Sequence, residues 1–553
     1  FVMVGSPQLG TPQAISSLLH GGDEGIAGGV IVKAADARAV SQNMPSVYNL
    51  LPSPSYFGAV TDSVIRFNAD ADFTKAWSDF WGGSINLYES FFQFMTGQGV
   101  ARQAPSPGTL RVPTVVSTTL MAAAADFHNV YDGYQIPQHI RVVQVAGWGR
   151  PTVKAVEYKT NHFLQSYGTM FTREGDGTVV YPSAVSSDYG EKYFFNLFAQ
   201  NKLLNSNTQH RDLFNTNALQ TVVSEIIRDG NIATTTFVTS AKPLTNDIDD
   251  QLVVSTHSPV ILGAYDSIGN FTGVDQNQDL SADVLIVSEN IPGSAFLYTS
   301  EDQNIFLPKD GSYRFVYKGV GNGPTTVAIN NFSGDVSTPV AQFSDIPTSP
   351  TTGAEFTVSG AAPEETVIAI DADGDSDSDL SVSADGKQSI SELIALFKMK
   401  VSSLNIKDKL KKELMKKIAH LEKKIEQNKK RNAKILSDLK EKISKREMKG
   451  KVEAADADEI LAIIELLEAQ SDGAYIDTDT LAQLKAKITS LNLKKGVKND
   501  LLKRIDRLEN KKSLAHSLSE LMKKIERKGV KGKIPDTDVQ VLINLLGKIE
   551  SAL

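Results

Sequence analysis

The sequence predicts a multidomain chain with an α/β portion first, an all-β sandwich next and all-α helical repeats last. Three observations predict it. Up to residue 235, strand-like apolar runs alternate with helical ones, the pattern of an α/β sheet. From about 240 to 370 the runs become short and alternating, with Gly, Asn, Asp and Pro between them, as in an Ig-like β-sandwich. From 390 onward the chain is rich in Lys and Glu at helical spacing, and it repeats itself.

Phe1-Val2-Met3-Val4 reads as a buried strand already under way, so the chain is expected to continue upstream, and a signal peptide to have been lost with that part. The strand closes in Gly5-Ser6-Pro7-Gln8-Leu9-Gly10-Thr11-Pro12, a tight turn ahead of a helix from Gln13 to Leu19. Residues 22–135 are long and irregular, with aromatic clusters at Phe73–Phe80 and Leu87–Phe94. A stretch of that length between strands suggests an inserted cap. Strands follow at Ile140–Ala146, Val153–Tyr158 and near Tyr193–Phe198. Leu219, Val222, Val223, Ile226 and Ile227 then mark one face of a helix over Asn217–Ile227.

The sandwich strands are expected at Leu252–Ser255, Val260–Tyr265, Val284–Val287, Ala295–Tyr298, Tyr313–Tyr317, Thr325–Ile329 and Thr366–Ile370. Residues 371–389 read as an Asp/Ser-rich linker. In the tail, Val401-Ser402-Ser403-Leu404-Asn405-Ile406-Lys407 returns as Ile488-Thr489-Ser490-Leu491-Asn492-Leu493-Lys494. Met448-Lys449-Gly450-Lys451-Val452 returns as Val530-Lys531-Gly532-Lys533-Ile534. The expected units are 390–470 and 476–553, each a small bundle of amphipathic helices.

Composition narrows the possibilities. At roughly 100–200 residues per domain, 553 residues give three or four domains. The chain has no cysteine, which excludes disulfides, thiolate metal sites and cysteine nucleophiles. No apolar run approaches the ~20 residues of a membrane-spanning helix. Residues 1–386 hold 19 Lys and Arg against 40 Asp and Glu, whereas 387–553 hold 38 against 25. The split marks a boundary between two kinds of domain. The tail's lysines are interleaved with glutamates and lack aromatic partners for bases, so a solvated helical face is expected and no nucleic-acid partner.

The strongest chemical signal is Gly175-Asp176-Gly177-Thr178-Val179-Val180-Tyr181-Pro182-Ser183-Ala184. An acid on a glycine-flanked turn after a strand can orient a histidine and stabilise its imidazolium form. Downstream, His210-Arg211-Asp212-Leu213-Phe214 stands directly before the helix at 217–227. The order acid then histidine matches the chain order of α/β-hydrolases. His257, in Thr256-His257-Ser258-Pro259, is the competing histidine, but it falls within the first sandwich strands. His20, His128, His139 and His162 show no metal-ligand spacing. Trp148 could line an acyl pocket or pack beneath the cap. Asp371, Asp373, Asp375, Asp377 and Asp379 could bind calcium, but glycine does not fall at the sixth position of an EF-hand loop, and a solvated linker is the preferred reading. No metal and no cofactor is expected.

Three motifs carry a resemblance. Val4-Gly5-Ser6-Pro7-Gln8-Leu9-Gly10-Thr11-Pro12 resembles the strand and turn that follow the nucleophile elbow in lipases related to lecithin:cholesterol acyltransferase. Met44-Pro45-Ser46-Val47-Tyr48-Asn49-Leu50-Leu51-Pro52-Ser53 is similar to the segment leading into that family's cap, and Gly175 to Ala184 resembles its acid loop. The resemblance covers about residues 1–230. It implies the C-terminal part of an α/β-hydrolase, with Asp176 as triad acid, His210 as triad base, and lipid or other apolar acyl esters as substrates. The sequence departs from the family in having no Gly-x-Ser-x-Gly. In the family, the serine and both oxyanion-hole donors lie upstream of the strand corresponding to Phe1–Val4.

The expected function is therefore a serine ester hydrolase in full-length form, lipase- or esterase-like, with transfer to an alcohol open on the same machinery. The fragment itself is expected to be inactive. The layout of accessory modules suggests an extracellular or cell-surface bacterial protein, in peripheral contact with membrane or envelope. The rival expectation is a surface adhesion or scaffold protein whose hydrolase domain is degenerate, since the other modules fill more than half of the chain. A third reading makes the tail an envelope-binding stalk.

Overall fold

The computed structural model describes the chain up to Glu447, except 23–24, 27–29, 69–73, 103, 106–108, 162–163, 229–235, 246–247, 258, 281–283, 300–301, 386–387, 404–405 and 426–428. Beyond Glu447 it describes scattered positions. The fold is mixed α/β, with several sheets and accompanying helices. Residues Phe1–Ala384 form one compact unit and Asp385–Leu553 a second.

Val2–Val4, Val143–Trp148 and Glu191–Asn196 run parallel in one sheet, and Val238–Thr239 joins it antiparallel. Strands covered on both faces read as near-continuous apolar runs, and every residue from Val143 to Trp148 is buried. The helix Asn217–Arg228 covers one face through Leu219 and Val222, which join Val143, Val145, Phe195, Leu213 and Val238 in a single core. The central strand begins three residues later than its expected start at Ile140, which is 40% exposed, and it runs on through Gly147 and Trp148. Phe195 is wholly enclosed in this core. Phe195→Ala should therefore cost about 3–5 kcal/mol of unfolding free energy, measurable as a lowered denaturant midpoint.

The segment expected as a cap is built around an aromatic core. Phe67, Trp77, Phe94 and Tyr158 pack with ring centroids near 5.5–6 Å, mostly tilted or edge-on, the arrangement the ring quadrupole favours. This layer is wider than the range 22–135 suggested. Ile65–Phe67 pairs parallel with Thr152–Asn161, which forms a long hairpin with Leu164–Thr172. Val30–Val32 pairs instead with Val284–Glu289, a strand of the region expected to be a sandwich.

The region from 251 onward forms two antiparallel sheets. One has five strands, in the order Ala295–Thr299, Asp302–Pro308, Gln251–His257, Gly323–Ser333 and Val336–Thr348. The other has nine, from Gly25–Ile26 to Leu380–Ser383, and alternating burial along Ser312–Gly319 shows its two-faced character. The expected linker at 371–389 needs correction. Leu380–Ser383 pairs antiparallel with Val367–Asp371 and buries Val382, so Asp371–Asp379 is the turn of a hairpin. Leu380 and Val382 are the only apolar residues between Ala372 and Ala384, too few to stand out in an Asp/Ser run.

In the second unit, helices span Ile390–Ser403, Asp408–Ile425 and Lys429–Glu447. Leu410, Leu414, Ile418 and Leu421 fall on one stripe and are buried. The expected second repeat at 476–553 lies outside the described residues apart from a few positions, of which Leu501 and Ile525 are buried. Among the described residues no helix is long and apolar enough to cross a membrane.

Candidate active site

Asp176 and His210 meet beyond the carboxyl ends of the parallel strands. Asp176 lies in the turn after the hairpin strand Leu164–Thr172 and has no solvent exposure. Its Oδ1 accepts the backbone N–H groups of Thr178 (3.0 Å) and Val179 (2.8 Å). These two bonds fix the carboxylate plane and leave Oδ2 for His210 Nδ1, which donates to it at 2.9 Å. The His210 backbone N–H also donates to the Asp176 carbonyl, at 2.9 Å. Histidine is thus tied to the acid loop by both main chain and ring, and the acid sets the tautomer, directing the other ring nitrogen, Nε2, away from the acid. Nε2 has no partner among the described residues, and the side chain is about one third exposed. A buried acid, an oriented ring and a free second nitrogen are what the base half of a nucleophile–base–acid relay requires.

Each side of the pair is built locally. Gly177 has φ +101°, left-handed backbone that favours glycine, and its N–H donates to Thr152 Oγ1 at 2.9 Å. Thr152 Oγ1 in turn donates to the Arg150 carbonyl at 2.9 Å, pinning the loop to the start of the preceding hairpin. On the histidine side, Gln209 and Asp212 cap the 3₁₀ turn His210–Asn215 reciprocally, and Leu213 anchors it in the core. Asn201 holds the approach to the turn, accepting from the Thr208 N–H and donating to its carbonyl, both at 2.9 Å. Two glycines make room. At Gly5 a Cβ would stand 3.1 Å from Asp176 Oδ2 and 3.2 Å from His210 Nδ1; at Gly147 it would stand 2.5 Å from the Asp176 Cβ.

The three segments singled out in the sequence are neighbours in space. Thr11 Oγ1 donates to the Thr178 carbonyl, and the Leu9 N–H donates to Ser183 Oγ, joining the first turn to the acid loop. The Thr11 N–H donates to the Leu50 carbonyl and the Ser53 N–H to the Leu9 carbonyl, joining the same turn to the segment at 44–53.

Burial disfavours the charged His210 ring, but the hydrogen bond to Asp176 and the carboxylate's charge outweigh it and hold His210 above the usual histidine pKa. A raised folded-state pKa stabilises the fold fully below the unfolded value near pH 6.5, and that contribution disappears as pH rises through the raised value. Asp176→Asn should lower the His210 midpoint, as read by NMR titration of its ring.

The other histidines differ. His20 is buried, with Nδ1 at 2.6 Å from the Leu110 carbonyl and Nε2 at 2.9 Å from the Tyr158 hydroxyl. Burial drives its pKa down to about 3. His128 uses Nδ1 on Asp132 (2.6 Å) and Nε2 on the Asn49 carbonyl (2.8 Å), while Ser53 Oγ donates to the same Asp132. That cluster contains serine, acid and histidine, but both ring nitrogens are engaged, so it ties the helix Thr118–Tyr131 to the segment at 44–53. His257, the competitor, sits on a strand, and its Nδ1 pairs at 2.6 Å with Asp302 and not with Asp176. His162 lies outside the described residues. Trp148 is wholly buried in its strand.

Asp371, Asp373 and Asp375 place one carboxylate oxygen each within 4.8 Å of the others, but the turn is exposed and its carboxylates accept the loop's own N–H groups, such as those of Gly374 and Ser376 on Asp371. Sequence reading missed the roles of Thr152, Gly147 and the Gln209–Asp212 cap, and Gly5 read only as a turn residue. Gly147 carried a signal, a glycine inside a buried strand, which marks a close approach of another group. No protein-family model matches the chain, and no curated protein matches it.

Proposed function

We propose that residues 1–235 are the C-terminal part of a lipase-like α/β-hydrolase, in which Asp176 orients His210 and His210 takes the proton from a serine supplied outside these residues. The observation that carries this reading is the 2.9 Å Asp176–His210 bond with its buried, doubly amide-held acid and outward Nε2. The contiguity of the three family-like segments supports it. So does the edge position of Val2–Val4: a strand pairing parallel to its open side would end close to Nε2. On this reading His210 accepts the serine proton during attack on an apolar acyl ester and returns it to the leaving alcohol; an alcohol in place of water gives acyl transfer. The aromatic cap shapes an apolar pocket and keeps water out. The other modules serve as spacers or attachment surfaces for an extracellular or cell-surface protein.

The test is the coding sequence before Phe1 together with hydrolysis of p-nitrophenyl esters by its product. A Gly-x-Ser-x-Gly and hydrolysis that depends on that serine would support the reading. A missing serine would favour a degenerate hydrolase domain in a surface scaffold.

A further inference from the structure

We propose that a second site, the cleft between the hairpin Thr152–Asn161/Leu164–Thr172 and the five-stranded sheet, binds a small hydroxylated oxyanion such as a sugar acid or sugar phosphate. It shares no residue with the Asp176–His210 pair and does not rest on the hydrolase reading. The cleft has a volume of about 610 Å³, within the range of small-molecule sites. Its shape follows from one rung of the smaller sheet, where Arg66 stands beside Glu157 and Glu157 beside Gly168. Gly168 presents no side chain, so the cleft stays open at that rung. A Cβ there would meet Lys159 Nζ at 3.3 Å and Asp302 Oδ2 at 3.9 Å. Charged groups from both walls therefore converge on the gap that Gly168 leaves.

In formal charge the lining is balanced, Arg66, Lys154 and Lys159 against Glu157, Asp302 and Asp335, with His257 beside them; what differs is how far each group is already partnered. Two of the carboxylates are committed: Asp302 to His257 Nδ1 at 2.6 Å, and Asp335 to the Thr172 hydroxyl and the Arg173 N–H at 2.9 and 2.8 Å. Among the described residues, Arg66 and Lys159 have no carboxylate within ion-pair distance, and Lys154 has only the exposed Asp62 at 3.9 Å. A guanidinium fork and an ammonium in a walled cleft suit a carboxylate or phosphate group. The opposite wall offers a neutral polar surface. Ser255 Oγ donates to Asn304 Oδ1 at 2.7 Å, which leaves the Asn304 amide N–H groups to a partner such as a hydroxyl.

The experiment is calorimetric titration of the whole chain with glucuronate, glucose 6-phosphate, glucose and inorganic phosphate. At least one charged sugar should bind saturably, at least tenfold more tightly than glucose and than inorganic phosphate; which one binds separates carboxylate from phosphate as the anionic group. Lys159→Met and Arg66→Gln should each weaken binding about tenfold, and Gly168→Met should abolish it by filling the gap. Circular dichroism and the melting temperature report whether each variant is folded. His210→Ala should leave the binding unchanged, so this site and the acid–base reading can fail separately. Glucose binding as well as the charged sugars, phosphate alone binding as well as they do, no binding at all, or full binding by folded Lys159→Met and Arg66→Gln would each overturn the proposal.

Discussion

His210→Ala is expected to lower kcat for ester hydrolysis by a factor on the order of 10⁴ when the chain is expressed together with its upstream coding region. The size follows from the geometry. The free Nε2 is the group available to take a proton; among the described histidines, His20 and His128 have both ring nitrogens engaged and His257 pairs with Asp302. Asp176→Asn should come close to the same loss while leaving KM nearly unchanged. An amide cannot hold the ring in the tautomer that a carboxylate flanked by two N–H donors imposes. In the wild type, log kcat/KM should climb with pH up to a midpoint above that of an ordinary histidine, because His210 must be neutral to act as base. If His210→Ala kept full hydrolysis, another base would be at work and the assignment would be wrong.

Gly147→Val should have the second large effect, and by a different route. Any side chain at 147 has its Cβ 2.5 Å from that of Asp176 and 3.1 Å from Leu197 Cδ1, in a strand buried along its whole length. Overpacking of this kind costs about 1–3 kcal/mol. The cost in activity should be larger, because the relief available is to push the acid loop away from His210. A folded Gly147→Val protein is therefore predicted to have lost the raised His210 midpoint along with most of its turnover. Unchanged titration of His210 in that variant would show that Gly147 does not position the acid.

How far the sequence revealed this arrangement varies from residue to residue. Asp-Gly is an ordinary turn pair, so Asp176 stood out only through its place after a strand and ahead of a histidine, and His210 because it stands just before an amphipathic helix. Thr152 was not: its contact with Gly177 joins residues 25 positions apart, and a threonine opening a strand looks ordinary. Periodicity found the buried runs but not their neighbours. Val30–Val32 is too short to show a period, and only its pairing with Val284–Glu289 reveals that the supposed cap lends a strand to the large sheet. Leu380–Ser383 escaped for the same reason, since composition outweighed two apolar positions in a run of Asp and Ser. The helix Asp408–Ile425 was the easiest to read, because Leu410, Leu414, Ile418 and Leu421 repeat over several turns.

On the proposed reading, His210 serves a serine that follows a strand beside Val2–Val4. Labelling the upstream-extended protein with a fluorophosphonate, then mapping the modified residue by mass spectrometry, tests it most directly. The expected outcome is a single labelled serine in a Gly-x-Ser-x-Gly before Phe1, with labelling slowed at least a hundredfold by His210→Ala. Labelling elsewhere, no labelling, or a rate indifferent to His210→Ala would contradict it.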